Sequence, residues 1–130
     1  MQAIGKFEVN LQPLDSFIEG SEGISLGRLS INKTFHGDLK ARSQGEMLSV
    51  MTEVEGSAGY VAVEQVNGTL QDKSGTFVLQ HFGIMNRGEN RLVLEVVPDS
   101  GTGQLAGLSG EMTIQIQDGQ HLYEFNYSLA

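Results

Sequence analysis

Met112-Thr113-Ile114-Gln115-Ile116-Gln117-Asp118-Gly119-Gln120-His121-Leu122-Tyr123-Glu124-Phe125-Asn126-Tyr127-Ser128-Leu129 is the stretch that decides the fold. Met112, Ile114 and Ile116 alternate with Thr113, Gln115 and Gln117. Beyond the Asp118-Gly119 pair, Tyr123, Phe125, Tyr127 and Leu129 alternate with Glu124, Asn126 and Ser128. A period of two puts one set of side chains on a dry face and the other in water, as in a half-buried strand. Asp-Gly supplies the two positive-φ positions of a type I′ turn, so the two runs form an antiparallel hairpin.

The same pattern extends towards the N-terminus. Phe7, Val9 and Leu11 alternate with Lys6, Glu8 and Asn10, while Leu29, Ile31 and Phe35 alternate with Ser30, Asn32 and Thr34. Turn signals stand between apolar-rich runs at His36-Gly37-Asp38, Asp72-Lys73-Ser74-Gly75 and Asn86-Arg87-Gly88-Glu89. Asp72 to Gly75 reads as a type I turn with a glycine bulge. These spacings are too short for crossover helices, so neighbouring strands are expected to be antiparallel. Strands are expected near 5–12, 24–36, 38–55, 58–71, 75–86, 89–98, 105–118 and 120–129, with 13–23 as a loop. Met47, Leu48, Met51 and Val54 also fit a helical stripe, but a lone helix there would interrupt the meander, and strand is the preferred reading. The expected architecture is all-β, a closed antiparallel meander barrel of about eight strands.

A length of 130 residues suits one barrel domain over 1–130. Seventeen glycines against two prolines agree with short strands and tight turns. There is no cysteine, which removes disulfides and thiolate metal sites and leans towards a reducing compartment. Sixteen acidic against eight basic residues give a net charge of −8, with the basic residues scattered. A nucleic-acid binder would carry a cationic stripe, so neither nucleic acid nor an anionic membrane surface is an expected partner. No stretch approaches the roughly 20 apolar residues of a membrane helix, and no apolar run follows Lys6 as a signal peptide requires. A soluble cytoplasmic protein is the expectation.

An eight-stranded barrel is just wide enough inside for side chains or one small ligand. Polar residues whose alternation turns them inward are therefore the site candidates: Lys33, Glu46, Glu64, His81 and Tyr123. Lys33 shares parity with Ile31 and Phe35, Glu46 with Leu48 and Val50, His81 with Phe77 and Leu79, and Tyr123 with Phe125. Glu64 follows Tyr60 and Ala62, although Val61 and Val63 compete for the inner face. A carboxylate and an imidazole in an apolar cavity can exchange protons with a ligand. Each also has a plain structural reading: a core histidine, a buried ion pair, a bulge beside Gly45, a core aromatic. Only convergence on one cavity separates the two, because buried polar groups are costly unless satisfied.

Other motifs fall away. His36, His81 and His121 lack ligand spacing, so no metal is expected. Ser109 lacks the Gly-X-Ser-X-Gly elbow. Ser100-Gly101-Thr102-Gly103 opens no helix and reads as a tight loop at the barrel rim rather than a phosphate cradle. No cofactor is expected.

Lys33-Thr34-Phe35-His36-Gly37-Asp38-Leu39, Val63-Glu64-Gln65-Val66-Asn67-Gly68-Thr69-Leu70, Ser74-Gly75-Thr76-Phe77-Val78-Leu79-Gln80-His81 and Val97-Pro98-Asp99-Ser100-Gly101-Thr102-Gly103-Gln104-Leu105-Ala106-Gly107-Leu108-Ser109-Gly110-Glu111 carry a resemblance over nearly the whole chain. Together they resemble a bacterial family of small proteins of unknown function with an allene-oxide-cyclase-like barrel. The Gly-Thr-Gly…Ala-Gly…Gly stretch alone is similar, more weakly, to the plant allene oxide cyclase and dirigent barrels. The resemblance implies the eight-stranded barrel and an oligomer, and no activity.

Three functions follow as expectations. The first is a barrel binding a small apolar or amphipathic molecule; the second is an isomerase or cyclase using His81 with Glu64 or Glu46; the third is a structural or interaction protein with a solid core. Whether the chain is an enzyme is left open. Met51 and Phe82 lie on strand faces opposite other apolar residues, which points to a homo-oligomer.

Overall fold

The computed structural model describes residues 1–130. The strands are β1 (Gln2–Leu14), β2 (Ser25–Gly37), β3 (Leu39–Met51), β4 (Ala58–Leu70), β5 (Lys73–Asn86), β6 (Glu89–Val96), β7 (Leu108–Gln117) and β8 (Gln120–Leu129). Each pairs antiparallel with its neighbour in sequence, and β1 pairs with β8 to close the barrel. Met47 to Met51 continue β3, and Val54 lies in the bend beyond it, so no helix interrupts the meander there. The one helical element is a single 3-10 turn, Gly103–Leu105, which the Ser100–Gly103 loop opens although none is expected from its sequence. No helix is long and apolar enough to cross a membrane.

The hairpin read from Met112 to Leu129 folds as expected. Asp118 and Gly119 take φ of 52° and 77°, the two left-handed positions of a type I′ turn. Arg87 and Gly88 repeat that geometry between β5 and β6, with φ of 50° and 92°. The β4–β5 turn differs from the expected Asp-Lys-Ser-Gly loop. Gln71 and Asp72 take the left-handed positions, φ 41° and 77°, between paired Leu70 and Lys73, so the turn lies two residues earlier and Lys73 to Gly75 belong to the strand. A two-residue turn of this hand matches the twist of the flanking strands, and aspartate tolerates the left-handed region.

The two ends of the barrel differ. One is packed solid with Phe7, Phe35, Leu39, Leu70, Phe77 and Phe125, and Leu105 is fully buried among them. Leu105 is delivered by the rim loop between β6 and β7, whose side chains cap a bare strand edge. Ser100 Oγ accepts the Val78 N–H (3.0 Å), Thr102 Oγ1 that of Thr76 (3.0 Å), and Gln104 Oε1 that of Ser74 (2.8 Å). This is the part of β5 that β6 leaves unpaired, since their ladder begins at Leu79. At the other end β6 and β7 part company: only Leu94↔Met112 and Glu95↔Glu111 are paired. That end stands open.

Candidate functional site

Four consecutive strands each turn one polar side chain into the barrel. Lys33 (β2), Ser43 (β3), Glu64 (β4) and His81 (β5) are all buried. Their strands are in register, with Lys33 opposite Ser43, Gly45 opposite Glu64 and Ala62 opposite His81. Small residues make the room. A Cβ on Gly45 would fall on the Val63 carbonyl and on Glu64 itself.

Glu64 is the hub. Lys33 Nζ donates to its Oε2 at 2.8 Å, Ser43 Oγ donates to its Oε1 at 2.7 Å, and His81 Nε2 also bonds Oε2. The Lys33 ammonium further lies 4.6 Å from the Phe7 ring centroid and 5.7 Å from that of Phe35, cation–π contacts that offset part of its lost hydration. The other His81 nitrogen, Nδ1, stands 3.3 Å from the Tyr60 hydroxyl. No buried side-chain polar atom in the molecule lacks a partner.

Burial pushes the Glu64 carboxyl upward, but the His81 hydrogen bond and the Lys33 charge outweigh it and hold the group at about 2. Burial, and then the Glu64 charge, push the Tyr60 phenol up. Near neutrality Glu64 is therefore a carboxylate and Tyr60 a neutral phenol. A carboxylate only accepts, so His81 Nε2 donates to Glu64, and Nδ1 pairs with the Tyr60 hydroxyl. The Tyr60 oxygen keeps a lone pair for a further donor.

Above this cluster the open end holds a cavity of about 590 Å³. Leu29, Met47, Tyr60, Leu92, Ile114 and Ile116, from β2 through β7, form much of its apolar wall. Tyr60 is the one member of the polar chain that reaches it; Lys33, Ser43, Glu64 and His81 lie behind. The ring of Tyr60 covers Gly83, its register partner on β5.

Of the five residues singled out by alternation, Lys33, Glu64 and His81 meet and two do not. Val61 and Val63 face outward, which settles the competition on β4 in favour of Glu64. Glu46 is a correction: it is exposed on the outer face and paired with Arg28, whose Nε donates to Oε1 at 2.7 Å. The inner face of β3 is Leu39, Ala41, Ser43, Gly45 and Met47, so Leu48 and Val50, used to set the parity, are outer-surface residues. Tyr123 is buried but far along the barrel, where its hydroxyl accepts the Leu39 N–H (3.0 Å) and donates to the His36 carbonyl (2.8 Å). It braces the β2–β3 turn. Sequence reasoning did not single out Ser43 and Tyr60 as site residues, although Tyr60 shares parity with Glu64. No group of three or more His, Cys, Asp or Glu is arranged to hold a metal ion.

A family model described as a protein of unknown function, DUF3224, matches residues 3–127. The chain belongs to the DUF3224 family. The DUF3224 barrel is also similar to a crystal structure of a protein of unknown function from that family, from Shewanella oneidensis MR-1. The two share 58% identity with a TM-score of 0.98, over 100% of this chain and 97% of that one. No curated protein matches. The bacterial family of unknown function anticipated from the motifs is thus the family found, and the function of the DUF3224 barrel is likewise unknown.

Proposed function

We propose that this barrel binds a small apolar or amphipathic molecule in its open end, its apolar part among Leu29, Met47, Leu92 and Ile114 and its polar part on the Tyr60 hydroxyl. The observation that carries this reading is the 590 Å³ cavity with Tyr60 on its wall. Its volume lies within the ~300–1,000 Å³ of small-molecule sites, and an apolar wall with few polar groups is their usual make-up. A solid structural core accords less well with an opening of that size. A cytoplasmic setting accords with a chain free of cysteine.

The isomerase or cyclase reading has one observation in its favour, the His81–Glu64 contact that proton transfer needs. Both groups are spent on each other and on Lys33 and Ser43, behind Tyr60, and binding is the better-supported function.

N-phenyl-1-naphthylamine, a neutral apolar dye that brightens out of water, tests the proposal. Saturable brightening at one dye per barrel is expected. Leu29→Trp and Ile114→Glu, which fill or charge the wall, should abolish it without altering the circular dichroism spectrum. No saturable binding, or binding indifferent to both substitutions, overturns the proposal. Native mass spectrometry of protein from its own host then seeks the natural occupant.

A further inference from the structure

The outer surface carries a second apolar feature, which borders the mouth and shares Tyr60, Gly83 and Ile84 with its wall. Leu48, Val61, Phe82 and Val93 are successive register partners across β3, β4, β5 and β6, so they form one row around the barrel. They are 56%, 48%, 41% and 38% exposed. With strands ~4.8 Å apart the row runs about 15 Å. Val63 and Ile84 flank it, also exposed. Beside the row lies a hollow of about 540 Å³, and on its rim stand Phe17 and Ile18 of the β1–β2 loop. Phe17 is wholly exposed, at 102%.

We infer that this face binds a second copy of the chain as an isologous dimer, with Phe17 of each protomer seated in the hollow of the other. The area is of the right size. With Phe17 and Ile18 the face offers on the order of 700 Å² of apolar surface, above the ~300–600 Å² of the largest patch on a typical monomer and close to the ~800 Å² each partner gives a standard interface. The shape is self-complementary. A projecting ring and a vacant apolar hollow on one face satisfy a two-fold operation, which brings each knob to the other's hole. The charge permits it as well. No charged residue lies in the row, so two chains of net charge −8 meet without placing carboxylates at the centre of contact. The charges that meet it are cationic or paired: Arg28, on the wall of the hollow, is paired with Glu46, and the Arg91 guanidinium lies 5.3 Å from the Phe82 ring centroid.

Sedimentation velocity over a range up to about 100 µM tests this, because dimerisation shifts with protomer concentration. The wild type should sediment at twice the 14.1 kDa chain mass. Phe17→Asp and Val61→Asp should each weaken association at least tenfold with unchanged circular dichroism. Phe17 makes no core contact to lose, so its substitution keeps the test clear of misfolding. Ile116→Asp, at the mouth, should leave the dimer intact. A wild-type monomer throughout the range, a trimer, or a dimer that survives Phe17→Asp overturns the inference.

Discussion

The ring of Tyr60 lies across Gly83, its partner in the β4–β5 ladder, where a Cβ would collide with ring atoms Cε1 and Cδ1. Glycine at 83 therefore sets the position of the one polar side chain that links the mouth to the buried charges. Gly83→Ala should push the ring aside, break its contact with His81, and cost about 1–3 kcal/mol as an overpacking change. Gly59→Ala is the control, since a Cβ there meets only Ile84 Cδ1 at 3.4 Å and the Gly83 carbonyl at 3.6 Å. Urea unfolding and dye binding should show Gly83→Ala impaired in both and Gly59→Ala in neither. Equal behaviour of the two variants would sink this account of Tyr60.

How much of this was legible in the sequence depends on which face a residue shares with its neighbours. The barrel was, because Met112 to Leu129 alternates without interruption around Asp118-Gly119. Lys33 and His81 were, because each follows apolar residues of its own parity that face the core. Glu46 was misread because β3 inverts the usual signal. Its inner face near the cluster is Ser43 and Gly45, small residues that make space, while its outer face carries Leu48 and Val50. Alternation assigns faces by hydrophobicity, and it fails where the inside must be small and the outside is apolar. Ser43 needed cross-strand register, which a single strand's pattern does not contain. The inward parity of Tyr60 was legible on β4, and only its contacts with His81 and Gly83 across β5 were not.

The Lys33–Glu64 pair is buried and each partner is committed to the other, so removing one strands the other. Glu64→Gln leaves an ammonium without its counter-charge, and Lys33→Met leaves a carboxylate with only Ser43 and His81. Each should destabilise the fold by about 3–5 kcal/mol. The double variant should cost clearly less than the two singles combined, with a coupling of about 1–3 kcal/mol. Urea denaturation of the four proteins gives the cycle. Strict additivity would mean that the two charges do not stabilise one another.

Acid stability follows from the same carboxylate. Glu64 is held well below the ordinary carboxylate range when folded, so the unfolded chain takes up its proton first as pH falls. The stabilisation is complete above the unfolded pKa and is lost as pH drops through the folded value. A fall from 4.5 to about 2 is worth roughly 3 kcal/mol at ~1.4 kcal/mol per pH unit. Stability measured by urea from pH 6 to pH 2 should therefore decline in the wild type. In Glu64→Gln the decline should be shallower by about that amount, with the difference confined below about pH 4.5. Parallel curves would assign the acid limb to the other carboxylates.

The seam between β6 and β7 closes the barrel through two residue pairs, and one of them sets Glu95 directly opposite Glu111. Both side chains are exposed. Like charges facing each other across an antiparallel ladder repel, and here no long ladder compensates. On its other side Glu111 faces Asn126, and Glu95 faces Gln80, so neither carboxylate has a cation as a cross-strand neighbour. Glu111→Lys converts the repulsion into an attraction without touching the core. It should raise stability by about 0.2–1 kcal/mol at low ionic strength, the range of a cross-strand charge pair. Screening should remove most of that gain in about 1 M salt. Amide exchange at Leu94, Glu95 and Met112 should slow in the variant, because these residues open when the seam opens. If the urea midpoint stays put at low salt while that exchange is unchanged, the acidic pair is not what weakens the closure.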